Sequence, residues 1–201
     1  MAKLRRIEGN ATAERLLDVA LELIHERGSS RGVNLRQIAK RAGCAHTNAY
    51  NYFTSLQELF WYALARLLKR MERYMVEKVG LVYDSDQYFE RFIRSEIDFA
   101  FEHPGWYRFI WLEHISGSPP RVVMRYWEKI QADFVLVIFV LSRKRLSQKQ
   151  CESVARIIRG YIHGEVCSLL SGKKSRGNRA REQASIISNA QTLLHALIVY
   201  F

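Results

Sequence analysis

Apolar residues recur at intervals of three and four along most of the chain, the spacing that places side chains on one face of an α-helix. One such stripe covers residues 13–27 and ends at Gly28. The next begins after Asn34, a residue type that caps helix N-termini, with Gln37 in the reciprocal position of a capping box. Its apolar positions are Leu35, Ile38, Ala39 and Ala42. The pattern predicts two helices of unequal length, the second of which ends at Gly43.

A third, short helix is predicted directly after this glycine, over residues 46–53. Cys44 and Ala45 are small enough to let it start at a steep angle. The residues expected to face inward are Ala49, Tyr50 and Phe53, and those expected to point outward are His46, Thr47, Asn48, Asn51 and Tyr52. Two helices joined by a tight turn at one glycine, the second with polar side chains pointing outward, are typical of a helix-turn-helix. The second helix of this motif enters the major groove of DNA. The alternative is a pair of ordinary surface helices in a helical bundle.

The rest of the chain predicts six further helices. Their expected ranges are 56–79, 85–102, 104–115, 121–145, 148–170 and 182–200. Ser55 is the candidate cap of the first, and Ser147 forms a capping box with Gln150 at the fifth. The apolar run FVLVIFVL, residues 134–141, is compatible with a buried strand, but the apolar positions before it continue a helical stripe into it. We therefore predict an all-α fold of about nine helices, with an N-terminal arm and a three-helix helix-turn-helix domain in residues 1–55 and a helical body in residues 56–201.

The charge balance favours a polyanionic partner. The chain of 201 residues has 31 Lys and Arg against 20 Asp and Glu, a formal net charge of +11. Such a surplus attracts nucleic acid or an acidic membrane surface. The run at residues 134–141 is too short to span a bilayer and is flanked by charges, so we expect no membrane partner. Three cysteines without CxxC spacing, and no apolar signal-peptide stretch near the start, predict a cytoplasmic protein.

Motifs for catalysis are missing from the sequence. It holds no phosphate-binding glycine loop, no nucleophile elbow and no His-Glu-x-x-His, so we expect neither an enzyme nor a cofactor. His163 and Cys167 stand one helical turn apart as two candidate metal ligands. Because a structural zinc site usually needs four, no metal site is predicted.

Lys3, Arg5 and Arg6 give the N-terminal arm a cluster of positive charge. Side chains of this kind neutralise phosphates or enter the minor groove beside a recognition helix. The alternative is a solubilising tail that makes no DNA contact.

Residues 12–59 resemble the DNA-binding domain of the tetracycline-repressor (TetR) family of bacterial transcriptional regulators. LLDVALELIHERG is similar to the family's first helix, NLRQIAKRAG to its second, and CAHTNAYNYFTSLQEL to the recognition helix and the start of the fourth. The more specific part is an aromatic residue at Tyr50, a two-residue gap, and then Phe53 and Ser55 around one variable position. The chain departs from the family at Leu56, where a lysine is common, and at Ala45, where a serine is frequent. The lysine that usually contacts a phosphate from the start of the fourth helix is therefore missing at Leu56.

The resemblance implies roles at the DNA surface. Asn34 would hold a phosphate through its capping position, and Arg36 would reach a base or a phosphate. Tyr50 would pack its ring and give its hydroxyl to a phosphate, the alternative being core packing alone. The expected readers of base edges are His46, Thr47 and Asn51. The complete predicted DNA-binding set is Lys3, Arg5, Arg6, Asn34, Arg36, Ala45, His46, Thr47, Asn48, Tyr50 and Asn51.

A homodimer is also implied, in which the last two helices of each chain form a four-helix bundle across a two-fold axis. Gly160 and Gly164 lie one turn apart in the first of these helices. Glycine in a helix costs about 1 kcal/mol relative to alanine, which suggests that another helix backbone comes close there. The predicted interface residues are Val154, Ile157, Ile158, Tyr161, Gly164, Ile187, Leu194 and Ile198. A two-fold dimer predicts a palindromic operator with half-sites about one DNA turn apart; packing within one chain only is the alternative.

Aromatic residues are dense between residues 83 and 111, in the region where the family encloses an effector pocket. Pockets for small molecules are mostly apolar with a few polar groups, so we expect a small apolar or aromatic effector, with polar contacts from Arg108, Glu113, His114 or His163. The predicted pocket residues are Phe89, Phe92, Trp106, Tyr107, Phe109, Trp111, Trp127, Phe134 and His163. The alternative is that this cluster is plain core.

Two functions fit these expectations. The first is a dimeric, ligand-responsive transcriptional repressor on double-stranded DNA, associated with the nucleoid when bound, whose effector favours a dimer with the wrong head separation. The second is a TetR-like DNA-binding protein whose body binds a protein partner. A closed aromatic cavity favours the first, and a filled core with an exposed apolar patch away from the dimer seam favours the second.

Overall fold

The computed structural model of the chain describes residues 7, 9–82, 84–172 and 179–201. These residues form nine α-helices and no strand. The helices are α1 (Ala11–Arg27), α2 (Leu35–Arg41), α3 (His46–Ala49), α4 (Leu56–Val79), α5 (Ser85–Glu102), α6 (Pro104–Trp111), α7 (Arg121–Leu141), α8 (Gln148–Leu170) and α9 (Arg179–Tyr200). The predicted all-α fold is confirmed.

Several helix ends follow directly from capping side chains. The ranges of α4, α5 and α8 coincide with those predicted. At α8, the Ser147 N–H donates to Gln150 Oε1 at 2.8 Å and the Gln150 N–H donates to Ser147 Oγ at 3.4 Å, so the predicted capping box is confirmed. Residues 134–141 belong to α7, which makes the strand alternative wrong.

Other helices end where the backbone or a distant partner stops them. The helix expected to reach residue 145 ends at Leu141, because Arg143 and Lys144 adopt φ values of 54° and 60°, which a right-handed helix does not allow. The helix expected to reach residue 115 ends at Trp111, with Leu112 already at φ −120°. Helix α9 begins at Arg179, three residues earlier than predicted.

The chain divides into two compact units. Unit 1 comprises the described part of Met1–Met71 together with His103–Tyr126, and unit 2 comprises the described part of Glu72–Glu102 together with that of Trp127–Phe201. The boundary predicted after residue 55 falls inside unit 1. In unit 1, α1 packs against α2 and α6, and α2 packs against α3. In unit 2, α9 packs against α5 and α8, and α5 packs against α8.

Helix α6 is held tightly against α1 within unit 1. A Cβ atom added to Gly105 would lie 2.4 Å from the Ile24 carbonyl oxygen and 2.9 Å from Gly28 Cα, so only glycine allows this approach. The indole N–H of Trp106 donates to the Leu21 carbonyl at 2.8 Å, and the Arg108 guanidinium donates to the Gly28 carbonyl at 3.2 Å. A segment far along the sequence is thus built into the same unit as the helix-turn-helix.

The residue that follows α6 extends this attachment. The Glu113 carboxylate accepts a hydrogen bond from Ser29 Oγ at 2.7 Å and one from the Ser30 N–H at 3.0 Å. Arg108 and Glu113, expected to contact an effector, are therefore engaged in bonds that fix α6 to α1 and to the turn after it. No helix in the described part of the chain has both the length and the apolar run that crossing a bilayer would need.

Candidate functional site

Helices α2 and α3 form a helix-turn-helix whose turn is set by local hydrogen bonds. Asn34 Oδ1 accepts from the Gln37 N–H at 3.0 Å and Gln37 Oε1 accepts from the Asn34 N–H at 3.4 Å, as the capping-box prediction requires. Gly43 adopts φ +74°, a left-handed conformation that favours glycine. The Cys44 N–H then donates to the Ala39 carbonyl at 3.0 Å. The chain leaves α2 within one turn and can start α3 at once.

Helix α3 is shorter than the range 46–53 predicted for it. It ends at Ala49, and the N–H groups of Tyr52 and Phe53 both donate to the Ala49 carbonyl, at 3.1 and 3.0 Å. The remaining residues are therefore hydrogen-bonded turns, and Ala45 supplies no side-chain cap to the helix start. Ala49 and Phe53 are fully buried as predicted.

The outer surface of α3 is polar and open. His46, Thr47 and Asn51 are exposed, and the Asn51 amide N–H donates to Asn48 Oδ1 at 2.9 Å. Tyr50 was expected to face inward, but it lies in the turn after α3 and is 50% exposed. Its ring packs edge-on against the His46 imidazole, with 5.2 Å between centroids. Imidazole, hydroxyl and amide groups arranged in this way can donate to and accept from base edges.

The charged residues around α2 differ in their availability. Arg41 pairs with Glu26 at 2.5 Å and with Glu22 at 3.6 Å, which ties α2 to α1. Hydrogen bonding to Arg41 lowers the pKa of Glu26. Arg36 is exposed and has no ion pair or hydrogen bond among the described residues. Arg36 is thus available to a phosphate, whereas Arg41 is already compensated. Lys3, Arg5 and Arg6 of the predicted set lie outside the described residues.

The last turn before α4 is fixed by a second set of caps. The Glu58 N–H donates to Ser55 Oγ at 3.1 Å, which confirms the predicted cap. Glu58 Oε2 in turn accepts from the Thr54 N–H and from Thr54 Oγ1, at 2.6 and 2.7 Å. The loop between α3 and α4 is therefore held by its own side chains without the lysine that the family commonly places at Leu56.

The predicted effector residues divide between the two units. Those in unit 1 are Trp106, Tyr107, Phe109 and Trp111, and those in unit 2 are Phe89, Phe92, Trp127, Phe134 and His163. In unit 1, Tyr107 and Phe109 are buried, and the Trp106 ring stacks on His103 with 4.4 Å between centroids.

In unit 2 the aromatic residues meet a charged group that the sequence reasoning missed, the Arg159 guanidinium. Phe92 of α5 stacks on Phe134 of α7, with centroids 5.3 Å apart and an interplanar angle of 18°. The Arg159 guanidinium of α8 lies over Phe134, with 4.9 Å from Cζ to the centroid. Desolvation lowers the pKa of Arg159 and raises that of Glu96. Desolvation also lowers the pKa of His163.

A four-residue spacing in the sequence was the signal for this cluster. Tyr88, Phe92 and Glu96 recur on one face of α5, and Arg159, His163 and Cys167 recur on one face of α8. His163 Nε2 lies 3.6 Å from Cys167 Sγ. Within the described residues, no three histidine, cysteine or acidic side chains come together as candidate ligands of a metal ion.

The predicted dimer residues on α8 and α9 include both buried and open positions. Those buried within the chain are Val154, Ile158, Ile187 and Leu194, and those partly buried are Tyr161 and Ile198. Ile157 is 41% exposed, and Gly164 is exposed. A Cβ atom added to Gly160 or Gly164 would meet nothing within 4 Å. The close helix approach predicted at these glycines is therefore not made by any described part of this chain.

The N-terminal part of the chain is similar in sequence to known regulatory proteins. Residues 16–63 match the bacterial regulatory proteins of the tetR family. Over 80 residues the chain is 39% identical to an uncharacterized HTH-type transcriptional regulator in the dhlA 5′ region of Xanthobacter autotrophicus, a match that spans 39% of either protein.

Solved structures are similar over nearly the whole chain. A tetR-family transcriptional regulator from Streptomyces coelicolor superposes with a TM-score of 0.72 at 20% identity, over 94% of this chain and 82% of that one. A TetR variant from Acinetobacter baumannii AYE in complex with minocycline superposes with a TM-score of 0.62 at 12% identity, over 90% and 93%. At sequence identities of 20% and 12%, the structural similarity shows only that the fold is shared. The helix-turn-helix of this chain thus matches that of the tetR family of bacterial regulatory proteins, and the chain as a whole has the fold that these structures share.

Proposed function

We propose that the protein is a homodimeric repressor that binds a palindromic operator in double-stranded DNA and is released by a small-molecule effector. The observation that carries the proposal is the outer surface of α3, where His46, Thr47 and Asn51 are exposed on a helix-turn-helix fixed by caps at both ends. These three side chains are the proposed readers of base edges. Asn34, Arg36 and Tyr50 are the proposed phosphate contacts around them.

Selection of bound fragments from random or genomic DNA by the purified protein tests this proposal. We expect an inverted repeat with half-site centres about one DNA turn apart. Replacing His46 or Asn51 by alanine should weaken operator binding about tenfold or more, because one base contact contributes about 1–3 kcal/mol. His114→Ala is the matched control, since His114 is exposed but lies after α6. Equal losses for His46→Ala and His114→Ala would contradict the assignment.

Dimerisation through α8 and α9 is supported by the open face of α8. Ile157 is a large apolar side chain left 41% exposed, and Gly160 and Gly164 leave room for a partner helix. An aspartate at position 157 would be buried without a partner in such a dimer, so Ile157→Asp should raise the dimer dissociation constant by at least about a hundredfold. Sedimentation measures this. Leu136→Asp is the control, because Leu136 is equally apolar and 59% exposed but lies on α7.

Effector binding is supported by the interior of unit 2, where stacked aromatic rings meet a guanidinium. The similar structure from Acinetobacter baumannii was obtained with minocycline, and we carry over from it only the expectation that a small molecule binds. The effector would favour a dimer whose two heads are wrongly spaced for one operator. A ligand that raises the melting temperature without any loss of operator affinity would contradict this mechanism.

A protein partner for the body is the second candidate. Leu136 and Val140 lie one turn apart on α7 and are 59% and 53% exposed, an apolar strip outside α8 and α9. If this strip binds a partner protein, Leu136→Asp would abolish that association and leave both operator binding and the dimer intact.

A further inference from the structure

Three helices of unit 2 surround one mixed polar and aromatic cluster. Helix α5 contributes Phe92, α7 contributes Phe134 and α8 contributes Arg159, and Glu96 of α5 interacts electrostatically with Arg159. Among the described residues, α7 makes no backbone approach as extensive as those that join α5, α8 and α9. The three helices are joined at this point by the contacts of Phe92, Phe134 and Arg159.

Glu96 of α5 is close enough to Arg159 for the two to influence each other's pKa. Protein atoms surround its carboxyl group densely enough that desolvation is the largest influence on its pKa, and yet its side chain is only partly buried. Glu96 is therefore largely desolvated by surrounding protein atoms and keeps part of its surface accessible to solvent. Arg159 combines the same two properties.

Arg159 also keeps an unused donor. Its Nη1 atom is buried without a hydrogen-bond partner among the described residues, and its Nη2 atom donates only to the Ile130 carbonyl, at a long 3.4 Å. A buried donor without an acceptor is unfavourable by an amount comparable to a lost hydrogen bond, so native proteins seldom leave one.

Glu96 does not supply the missing acceptor. The two side chains influence each other electrostatically, but neither an ion pair within 4 Å nor a hydrogen bond joins them in the described residues. Burial also favours the uncharged form of Glu96, because it raises the pKa of that carboxyl. The raised pKa of Glu96 reduces the negative charge that this carboxyl carries at a given pH, and so reduces its repulsion of an anion beside Arg159.

We propose that the effector of the proposed function is an aromatic carboxylic acid, whose carboxylate accepts from Arg159 Nη1 and whose ring lies against the accessible part of Phe92. A guanidinium presents a planar fork that matches a carboxylate in geometry and charge. Phe92 stacks on the buried Phe134 and is itself only partly buried, so it offers an apolar surface to a planar body next to that fork. This assignment depends on the proposed function for its regulatory meaning, but the binding site itself is defined by unit 2 alone.

Pairs of acids and their neutral amides test the assignment. The probes are 1-naphthoate with 1-naphthamide, and phenylacetate with phenylacetamide, titrated calorimetrically into the full-length protein. We expect at least one acid to bind with Kd below about 1 mM and its amide to bind at least about tenfold more weakly. Arg159→Met should weaken the acid at least about tenfold, and Arg156→Met, an exposed arginine on the same helix, should leave its Kd within about twofold.

Three results would overturn the assignment: none of the acids binds, the amides bind as well as the acids, or Arg159→Met retains the affinity of the original protein. If Arg159→Met fails to fold by circular dichroism, Arg159→Lys replaces it. Lysine keeps the charge and most of the stem but loses the fork, so acid binding should weaken about three- to tenfold; an unchanged Kd would again overturn the assignment.

The assay for operator binding separates this assignment from the proposed function. Without ligand, Arg159→Met should bind the selected operator as the original protein does, because Arg159 lies in unit 2 and the helix-turn-helix lies in unit 1. If acids bind through Arg159 but the protein binds no DNA, the proposed function fails and the carboxylate site stands. If the operator is bound and only neutral compounds release it, the proposed function stands and the carboxylate site fails.

Discussion

Gly105→Ala adds one methyl group at the closest approach between α6 and α1. The new Cβ atom would lie 2.4 Å from the Ile24 carbonyl oxygen and 2.9 Å from Gly28 Cα. Both neighbours are backbone atoms in or next to α1, so they cannot move aside by a rotamer change. Since van der Waals contacts between heavy atoms are favourable at about 3.5–4.0 Å, α6 must shift by about 1 Å to relieve the clash.

The expected loss of stability follows from two opposing effects. Forcing an extra methyl group into a well-packed contact costs about 1–3 kcal/mol. Alanine returns at most about 1 kcal/mol through its higher helix propensity. We therefore expect the free energy of unfolding to fall by about 2 kcal/mol, which lowers the melting temperature of a chain of this size by about 4–8 °C.

Thermal unfolding followed by circular dichroism measures this change. Gly160→Ala is the matched control, because it makes the same substitution in a helix where the added Cβ meets nothing within 4 Å of the described chain. It should be neutral or slightly stabilising for the chain itself, and a dilution series identifies any part of its effect that comes from dimerisation. A Gly105→Ala protein that melts at or above the temperature of the original would refute the close α6–α1 contact.

Three further changes have expected outcomes. Glu113→Gln removes the charge from two hydrogen bonds to the turn after α1 and should lower the melting temperature by about 2–4 °C; an unchanged value would mean that these bonds contribute nothing. Asn34→Asp keeps the helix cap but places a negative charge at the proposed phosphate contact, so operator Kd should rise about tenfold with little change in melting temperature, whereas Asn34→Ala should lose about 1 kcal/mol of stability. Burial raises the pKa of Glu96 above its ordinary 4.5, so the folded protein binds the extra proton and loses stability as the pH rises above that value. The melting temperature of Glu96→Gln relative to the original protein should therefore increase as the pH rises above 4.5, and a constant difference would contradict this assignment.

The periodic spacing of apolar residues was enough to predict most of the fold. It gave the exact range of α4, α5 and α8, because caps such as Ser55 and Ser147 act within one turn of sequence and were readable directly. Spacing failed where a distant group decides the end of a helix. The carboxylate of Glu113 accepts hydrogen bonds from Ser29 and Ser30, which are more than 80 residues away in the sequence. The local sequence pattern therefore did not show that α6 ends before Glu113.

Within the candidate DNA surface, the prediction of exposed polar residues on α3 agrees with the structure at His46, Thr47 and Asn51. The position of Tyr50 did not follow from helical spacing, because α3 ends one residue before it. Once the helix gives way to turns, the side-chain direction of the next residue no longer follows a 100° rotation per residue. Half of the tyrosine therefore faces outward.

The glycines in the predicted helices indicated where a close backbone contact could occur, but they did not indicate which element makes that contact. Gly105, Gly160 and Gly164 are all helical, and in sequence each one suggests a close backbone contact. Among the described residues, Gly105 alone of the three has that contact, and a Cβ atom added at either of the other two would meet nothing within 4 Å. A requirement for glycine at positions 160 and 164 would then have to come from outside the described part of the chain, and a second copy of α8 is the element that a two-fold axis would bring there. We therefore expect Gly105→Ala to lower the stability of the chain and Gly164→Ala to weaken dimerisation. These two results would distinguish a glycine required for packing within the chain from one required for packing between chains.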